Sequence, residues 1–125
     1  MEYPARAGVR LIVRRTFRQF EKGSDLTVLL SLASAGAAEG KYLFGRLAAE
    51  PAHLLVAFDE SAAFHRDIAL RHRLRPAGGG WMTFDRKKRR IHLSGRSQAY
   101  GREPDRGLVL RVLSRVFPDF TCTAE

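Results

Sequence analysis

Residues 78–101 read GGGWMTFDRKKRRIHLSGRSQAYG. Apolar and polar side chains alternate on both sides of the basic run in this stretch, and the apolar positions are Met82, Phe84, Ile91 and Leu93. Two alternating runs joined by a short turn are typical of a β-hairpin with one buried face. The stretch therefore predicts two adjacent strands, the first ending near Asp85, with the basic residues in the turn between them.

The second strand leads into a loop bracketed by Gly95 and Gly101. Glycine tolerates backbone angles that other residues avoid, so such a loop can bend sharply and direct successive N–H groups toward one point. The hydroxyl of Ser97 and the amides of Ser97, Gln98 and Ala99 could hold three phosphoryl oxygens without a metal ion. The alternative is a purely structural turn.

Further strands are predicted on both sides of this stretch, at 9–13, 26–32, 41–47, 53–58 and 120–123. The nearly continuous apolar run at 26–32 would also suit a buried helix. Its length of about seven residues and the turn signal before it favour a strand. Residues 33–40 are small and flexible, which predicts a connecting loop.

Two segments have the apolar spacing of a helix. Acidic residues precede Phe64 and Ile68, and arginines follow them, which complements the helix dipole and predicts a helix over about 62–74. The second helix is predicted to open at Pro104 and Asp105 and to end at Pro118. Its apolar face consists of Val109, Val112, Leu113, Val116 and Phe117.

A chain of 125 residues is long enough for one hydrophobic core and too short for two. Strand pairs interrupted by two helices indicate an α+β fold: one domain over 1–125, with a mostly antiparallel or mixed sheet on which both helices pack.

The formal net charge of +9 favours anionic partners without choosing among them. Residues 86–90 are all basic, which raises the possibility of nucleic-acid binding, although a basic hairpin turn is more often simply solvated. Cys122 is the single cysteine, so we expect no internal disulfide, and a reducing compartment fits best. The sequence shows no secretory signal and no apolar run that could span a bilayer, so we expect a cytoplasmic protein that does not associate with a membrane. We also expect no metal site.

His65 is the strongest candidate for a reactive group, because it lies in the first turn of the predicted helix. The positive end of a helix disfavours additional positive charge, so we expect a lowered pKa and a neutral imidazole at neutral pH. A neutral imidazole can deprotonate water or attack phosphorus directly. The alternative is an ordinary boundary histidine.

Taken together, several motifs resemble the phosphohistidine phosphatase family, also called the janus family. The resemblance covers about residues 62–122 and rests on His65-Arg66-Asp67-Ile68, Gly78-Gly79-Gly80, Lys87-Lys88, Arg90-Ile91-His92-Leu93, Gly95-Arg96-Ser97-Gln98-Ala99-Tyr100-Gly101 and Phe117-Pro118-Asp119-Phe120. Residues 1–40 match only loosely and would be divergent N-terminal strands.

The resemblance implies a metal-independent phosphatase, without a cofactor, that removes phosphate from phosphohistidine in proteins or from a related phosphoramidate. By the same resemblance, His65 would be the catalytic base, and Ser97, Gln98 and Ala99 would bind the phosphoryl oxygens. The family also uses a lysine at the start of its first strand. Lys41 would correspond to that lysine if the predicted strand at 41–47 matches the first strand of the family. If the strand near Leu26 matches it instead, this sequence has no corresponding lysine.

Counting from His65 without gaps, Ala57 occupies the position at which the family has an arginine. Arg46, Arg96 or Arg102 could supply the missing positive charge instead. The loss of that cation leaves a second interpretation open. It is a non-catalytic module that binds phosphorylated or other acidic partners, and nucleic acid would be a less favoured ligand.

Overall fold

The computed structural model describes residues 10–21, 23–33, 37–59 and 64–125. In chain order these residues form β1 (Arg10–Glu21), β2 (Ser24–Ala33), β3 (Ala37–Leu47), β4 (Ala52–Ala57), α1 (His65–Arg71), β5 (Leu74–Asp85), β6 (Arg90–Ser94), α2 (Arg106–Val116) and β7 (Thr121–Ala124). The start of the first strand, predicted at Val9, lies outside the described residues.

The described strands form one mixed sheet of seven, in the order β1-β2-β4-β3-β5-β6-β7. β2 lies parallel to β4, and β6 lies parallel to β7, while the remaining neighbours are antiparallel. The sheet and the two helices confirm the predicted α+β fold. Neither helix in the described part of the chain has the length and apolar character of a membrane span.

The two helices pack on opposite faces of the sheet. Successive residues of a strand point to opposite faces, and the neighbours Tyr42 and Leu43 of β3 accordingly belong to different apolar cores. The larger core contains the apolar face of α2, and the smaller core contains Ile68 and Ala69 of α1. Because β3 lies in the middle of the sheet, it contributes to both cores.

The second helix forms as predicted because its sequence supplies both a cap and an apolar face. The side chain of Asp105 accepts a hydrogen bond from the backbone N–H of Leu108 at 3.0 Å, which satisfies one of the free donors at the helix start. Val109, Val112 and Leu113 are fully buried against the sheet. Pro118 follows directly after the C-terminal cap Phe117, as the sequence indicated.

The first helix is shorter than the predicted 62–74. Within the described residues it runs only from His65 to Arg71, because Leu74 already pairs with Leu47 as the first residue of β5. Leu74 is also buried in the smaller core, so pairing and burial together end the helix one turn early. Residues 62 and 63 lie outside the described residues.

The loop predicted for residues 33–40 is wrong at both ends, since Ala33 ends β2 and β3 begins at Ala37. One of the small residues that suggested a loop, Gly40, is required in the strand by close packing. A Cβ atom at Gly40 would lie 2.8 Å from Cδ1 of Phe58. Residues 34–36 lie outside the described residues.

The predicted hairpin is confirmed as β5 and β6, joined by the turn at 86–89. β5 reaches back through the three glycines, which lie against other backbone segments. A Cβ at Gly79 would collide with the carbonyl oxygen of Tyr42, and one at Gly80 would collide with that of Ser94. The glycine run therefore allows neighbouring strands to approach closely at the centre of the sheet.

Candidate functional site

The first turn of α1 places His65 over the glycine run of β5. Its Nε2 lies 3.2 Å from the carbonyl oxygen of Gly80, and the residue is 7% exposed. A carbonyl oxygen can only accept a hydrogen bond, so the neutral ring carries its proton on Nε2. Nδ1 is then the unprotonated nitrogen, which is the atom that could act as a base or as a nucleophile.

His65 lies in a cleft whose described lining is cationic and aromatic. The cleft has a volume of about 620 Å³ and is lined by Lys41, Phe64, His65, Arg66, Trp81, Arg96, Gln98 and Ala99. Its size falls in the range of small-molecule sites. Among the described residues the lining includes three cations and no carboxylate. The cleft is therefore suited to an anion.

Lys41 enters the cleft because of the pairing between β3 and β5. Lys41 lies directly opposite Trp81, and Tyr42 lies opposite Gly80. The ammonium group of Lys41 is 4.6 Å from the centre of the Trp81 ring, where the electron-rich face of the ring attracts it. The strand that supplies the lysine is thus β3 and not the strand near Leu26.

The loop after β6 is fastened to Gly79 at both ends. The N–H of Ser97 donates to the carbonyl of Gly79 at 3.1 Å, and the N–H of Gly79 donates to the carbonyl of Gly101 at 2.9 Å. Gly95 and Gly101 have φ values of 65° and 74°, in the left-handed region that glycine was predicted to supply here. These bonds hold the loop against the glycine run, on the strand that also contacts His65.

The loop offers two free amides rather than three. The N–H of Ser97 is already bonded, and its Oγ accepts a hydrogen bond from the N–H of Tyr100 at 3.1 Å. Ser97 is also 1% exposed, so it is a structural residue of the loop. Within the part of the chain that the structure describes, no hydrogen bond uses the N–H of Gln98 or Ala99. Both of these residues line the cleft.

A buried ion pair supports the loop from behind. Oε1 of Glu103 accepts two hydrogen bonds from Arg106, at 2.8 and 3.1 Å, and Oε2 accepts one from the hydroxyl of Tyr42 at 2.6 Å. Arg106 also donates to the carbonyl of Gly95 at 2.8 Å and to that of Gly79 at 3.4 Å. The guanidinium thus connects the start of the loop to β5. Burial and the hydrogen bond to Glu103 raise the pKa of Tyr42, so its hydroxyl stays protonated and donates.

Burial is the main cause of a lowered pKa at His65, because it disfavours the charged imidazolium. The positive charge of Lys41 lowers the pKa further, whereas contacts with the backbone carbonyls of Gly80 and Tyr42 oppose the shift. The direction of the shift agrees with the prediction, and burial and the charge of Lys41 add causes that the sequence did not indicate. The histidine is consequently neutral at neutral pH.

Several other residues singled out in the sequence lie away from the cleft. Ala57 is buried in the core on the α2 face, so a longer side chain there would point away from His65. Of the three arginines considered as replacements for its charge, Arg96 lines the cleft, and Arg46 and Arg102 are not part of the lining. The basic turn at 86–89 is also outside the lining. The described residues contain no group of histidine, cysteine and carboxylate side chains arranged for a metal ion.

Sequence reasoning missed three residues that line the cleft and three that support it: Phe64, Arg66 and Trp81, and Tyr42, Glu103 and Arg106. Arg66 directly follows His65, and that adjacency was the available signal. Trp81 follows the three glycines, but its position beside Lys41 depends on the register between β3 and β5. Glu103 and Arg106 are three residues apart and of opposite charge, and this was the available signal for their pairing.

The comparison with family models finds one match, the Janus/Ocnus family (Ocnus), over residues 28–121. The matched range includes every residue that lines the cleft and both partners of the buried ion pair. A comparison with curated proteins finds no match.

Proposed function

The chain belongs to the Janus/Ocnus family, and we propose that it is a protein phosphohistidine phosphatase that works without a metal ion. The observation that carries this proposal is the cleft itself. It brings His65, Lys41 and the free amides of Gln98 and Ala99 together on one surface. These residues supply a neutral nitrogen base, a cation and two hydrogen-bond donors, which are the groups that phosphoryl transfer requires.

In this reaction, the phosphoryl oxygens bind to the ammonium of Lys41 and to the two backbone N–H groups. Water attacks phosphorus, and Nδ1 of His65 accepts the proton that the water loses. The P–N bond breaks, its electron pair returns to the imidazole nitrogen of the substrate, and the proton held by His65 passes to that nitrogen, so that the substrate histidine leaves neutral. The developing negative charge on the oxygens is stabilised by donors that are already in place.

A covalent route uses the same groups. Nδ1 of His65 attacks phosphorus first, a new P–N bond to His65 forms as the substrate bond breaks, and water then hydrolyses the intermediate. A phosphate label that is retained on the protein after a short reaction, and lost on acid treatment, would distinguish this route from direct attack by water.

The test is release of phosphate from a phosphohistidine peptide, measured against the spontaneous rate. We expect His65→Ala to lower kcat/KM by roughly 100-fold or more, the usual contribution of a general base. His92→Asn is the matched control for the loss of a histidine side chain. His92 is half-buried like a boundary residue, lies on β6 and hydrogen-bonds to Thr123. Absence of release by the wild-type protein, or full activity in His65→Ala, would refute the proposal.

A second candidate is a binding module for phosphorylated proteins. The observation that favours it is that Lys41 and the amides of Gln98 and Ala99 can hold a phosphoryl group with no help from His65. This function predicts that a phosphopeptide binds equally well to the wild-type protein and to His65→Ala, while neither protein releases phosphate. The enzyme predicts turnover that depends on His65.

A further inference from the structure

The wall of the cleft includes an aromatic ring that the proposed chemistry does not use. Trp81 is 38% exposed and lies in the lining together with Lys41 and His65. A tryptophan with this much exposed surface, next to a charged group, is expected at a place where a ligand provides the remaining contacts.

The ring of Trp81 is fixed on two sides. Lys41, its direct partner across β3 and β5, places its ammonium over the ring at 4.6 Å. On the loop side, Cδ1 of the ring lies against Gly95, where a Cβ atom would be only 3.2 Å away. The ring therefore lies between the cation and the start of the loop, in contact with both.

The same geometry links the ring to the phosphate contacts. The ammonium that rests on Trp81 is the cation expected to bind the phosphoryl oxygens, and the loop that contacts Trp81 leads to the amides of Gln98 and Ala99. A ligand whose phosphoryl group meets these donors thus has its next atoms close to the tryptophan. The cleft volume of about 620 Å³ leaves room for more than an inorganic phosphate.

We propose that Trp81 is a specificity-determining residue that selects phosphoryl groups attached directly to a planar aromatic ring. The ring of the ligand packs against the indole while its phosphoryl group binds Lys41 and the loop amides. The phosphorylated imidazole of histidine meets this requirement, whereas a phosphorylated lysine or serine presents an aliphatic chain. This inference rests on the phosphate site of the proposed function, but it does not depend on turnover.

The test compares phenylphosphonate with methylphosphonate, two stable probes with the same charged group. Trp81 is the only tryptophan of the chain, so intrinsic fluorescence reports directly on a ligand that reaches it. We expect the wild-type protein to bind phenylphosphonate roughly 10-fold more tightly, a usual gain from stacking on an aromatic side chain. In calorimetry, Trp81→Ala should reduce the ratio of the two dissociation constants to near one, and Trp81→Phe should preserve most of it.

The outcomes separate this inference from the function on which it rests. Equal binding of both probes to the wild-type protein, or an unchanged ratio in Trp81→Ala, overturns the role of Trp81 and leaves the phosphate site intact. Failure of both probes to bind overturns the phosphate site and this inference with it. Thermal unfolding of each variant verifies that the fold is retained, and Trp81→Phe provides the comparison if Trp81→Ala does not fold.

Discussion

Replacing Glu103 with glutamine tests how the buried ion pair stabilises the loop and the sheet. The side chains of Glu103 and Arg106 are 0% and 3% exposed. Glu103→Gln keeps the shape of the side chain but leaves the guanidinium of Arg106 without a counter-charge. Removing one member of a buried pair costs about 3–5 kcal/mol, because the remaining charge stays desolvated.

The effect on the thermal midpoint follows from that loss. For a domain of this size, 1 kcal/mol corresponds to roughly 3–5 °C, so a loss of about 3–5 kcal/mol in Glu103→Gln should lower the midpoint by roughly 9–25 °C. Tyr42→Phe removes a single hydrogen bond to the same carboxylate and should cost about 1.5–3 kcal/mol. We therefore also expect Glu103→Gln to lower the thermal midpoint more than Tyr42→Phe does.

Calorimetry or circular dichroism measures both midpoints, with Glu39→Gln as the matched control. Glu39 is exposed on β3, so its replacement should change stability by no more than about 0.5 kcal/mol. A midpoint for Glu103→Gln within about 2 °C of the wild-type value would refute the reasoning. The double variant with Tyr42→Phe should then be less destabilised than the sum of the two, since both changes weaken the same hydrogen bond between residues 42 and 103.

Three further predictions concern the cleft and the glycine run. The acidic limb of the enzymatic rate of phosphohistidine hydrolysis should be centred below pH 6.5, the ordinary pKa of histidine, because burial lowers the pKa of His65; a limb centred above 6.5 in a pH–rate profile would contradict this. Lys41→Met should weaken phosphate binding and, by removing a nearby positive charge, raise the pKa of His65; an NMR titration in which that pKa stays the same or falls would disprove the coupling. Gly79→Ala should destabilise the protein by about 1–3 kcal/mol or more, because its Cβ would collide with the carbonyl oxygen of Tyr42; chemical denaturation that finds this variant as stable as the wild-type protein would refute the close approach.

Local patterns predicted those parts of the fold that local forces determine. The hairpin of β5 and β6 follows from alternation around a basic turn, and the second helix follows from a capping aspartate and an apolar face. The predicted element boundaries are wrong where tertiary contacts determine the backbone conformation. Leu74 is removed from the helical pattern by its pairing with Leu47, and Gly40 is accommodated in a strand because the ring of Phe58 covers it. Leu47 and Phe58 are both far from these residues in the sequence, so a local sequence pattern could not have predicted either contact.

The same distinction applies to the candidate site. His65 and the glycine-bracketed loop were recognisable as reactive and anion-binding elements, because their chemistry is carried by single short segments. Whether they face one cleft depends on α1 and the loop both contacting the glycine run of β5, which periodicity does not encode. The sequence also did not indicate which amides of the loop are bonded: the N–H of Ser97 donates to the carbonyl of Gly79, whereas the N–H groups of Gln98 and Ala99 make no hydrogen bond to the residues that the structure describes.

The position of Ala57 shows why a missing charge in a linear comparison is weak evidence about a site. In the sequence, an alanine where an arginine was expected suggested an incomplete phosphate site. In the fold, Ala57 lies opposite Tyr42 and belongs to the core under α2, while His65 lies over the other face. A cation at residue 57 would have to cross the sheet to reach the cleft. The cations in the described lining of the cleft come instead from β3, from the start of α1 and from the loop, and they are Lys41, Arg66 and Arg96. The alanine at residue 57 therefore removes no charge from this cleft, and variants that test the proposed function belong among the residues that line it.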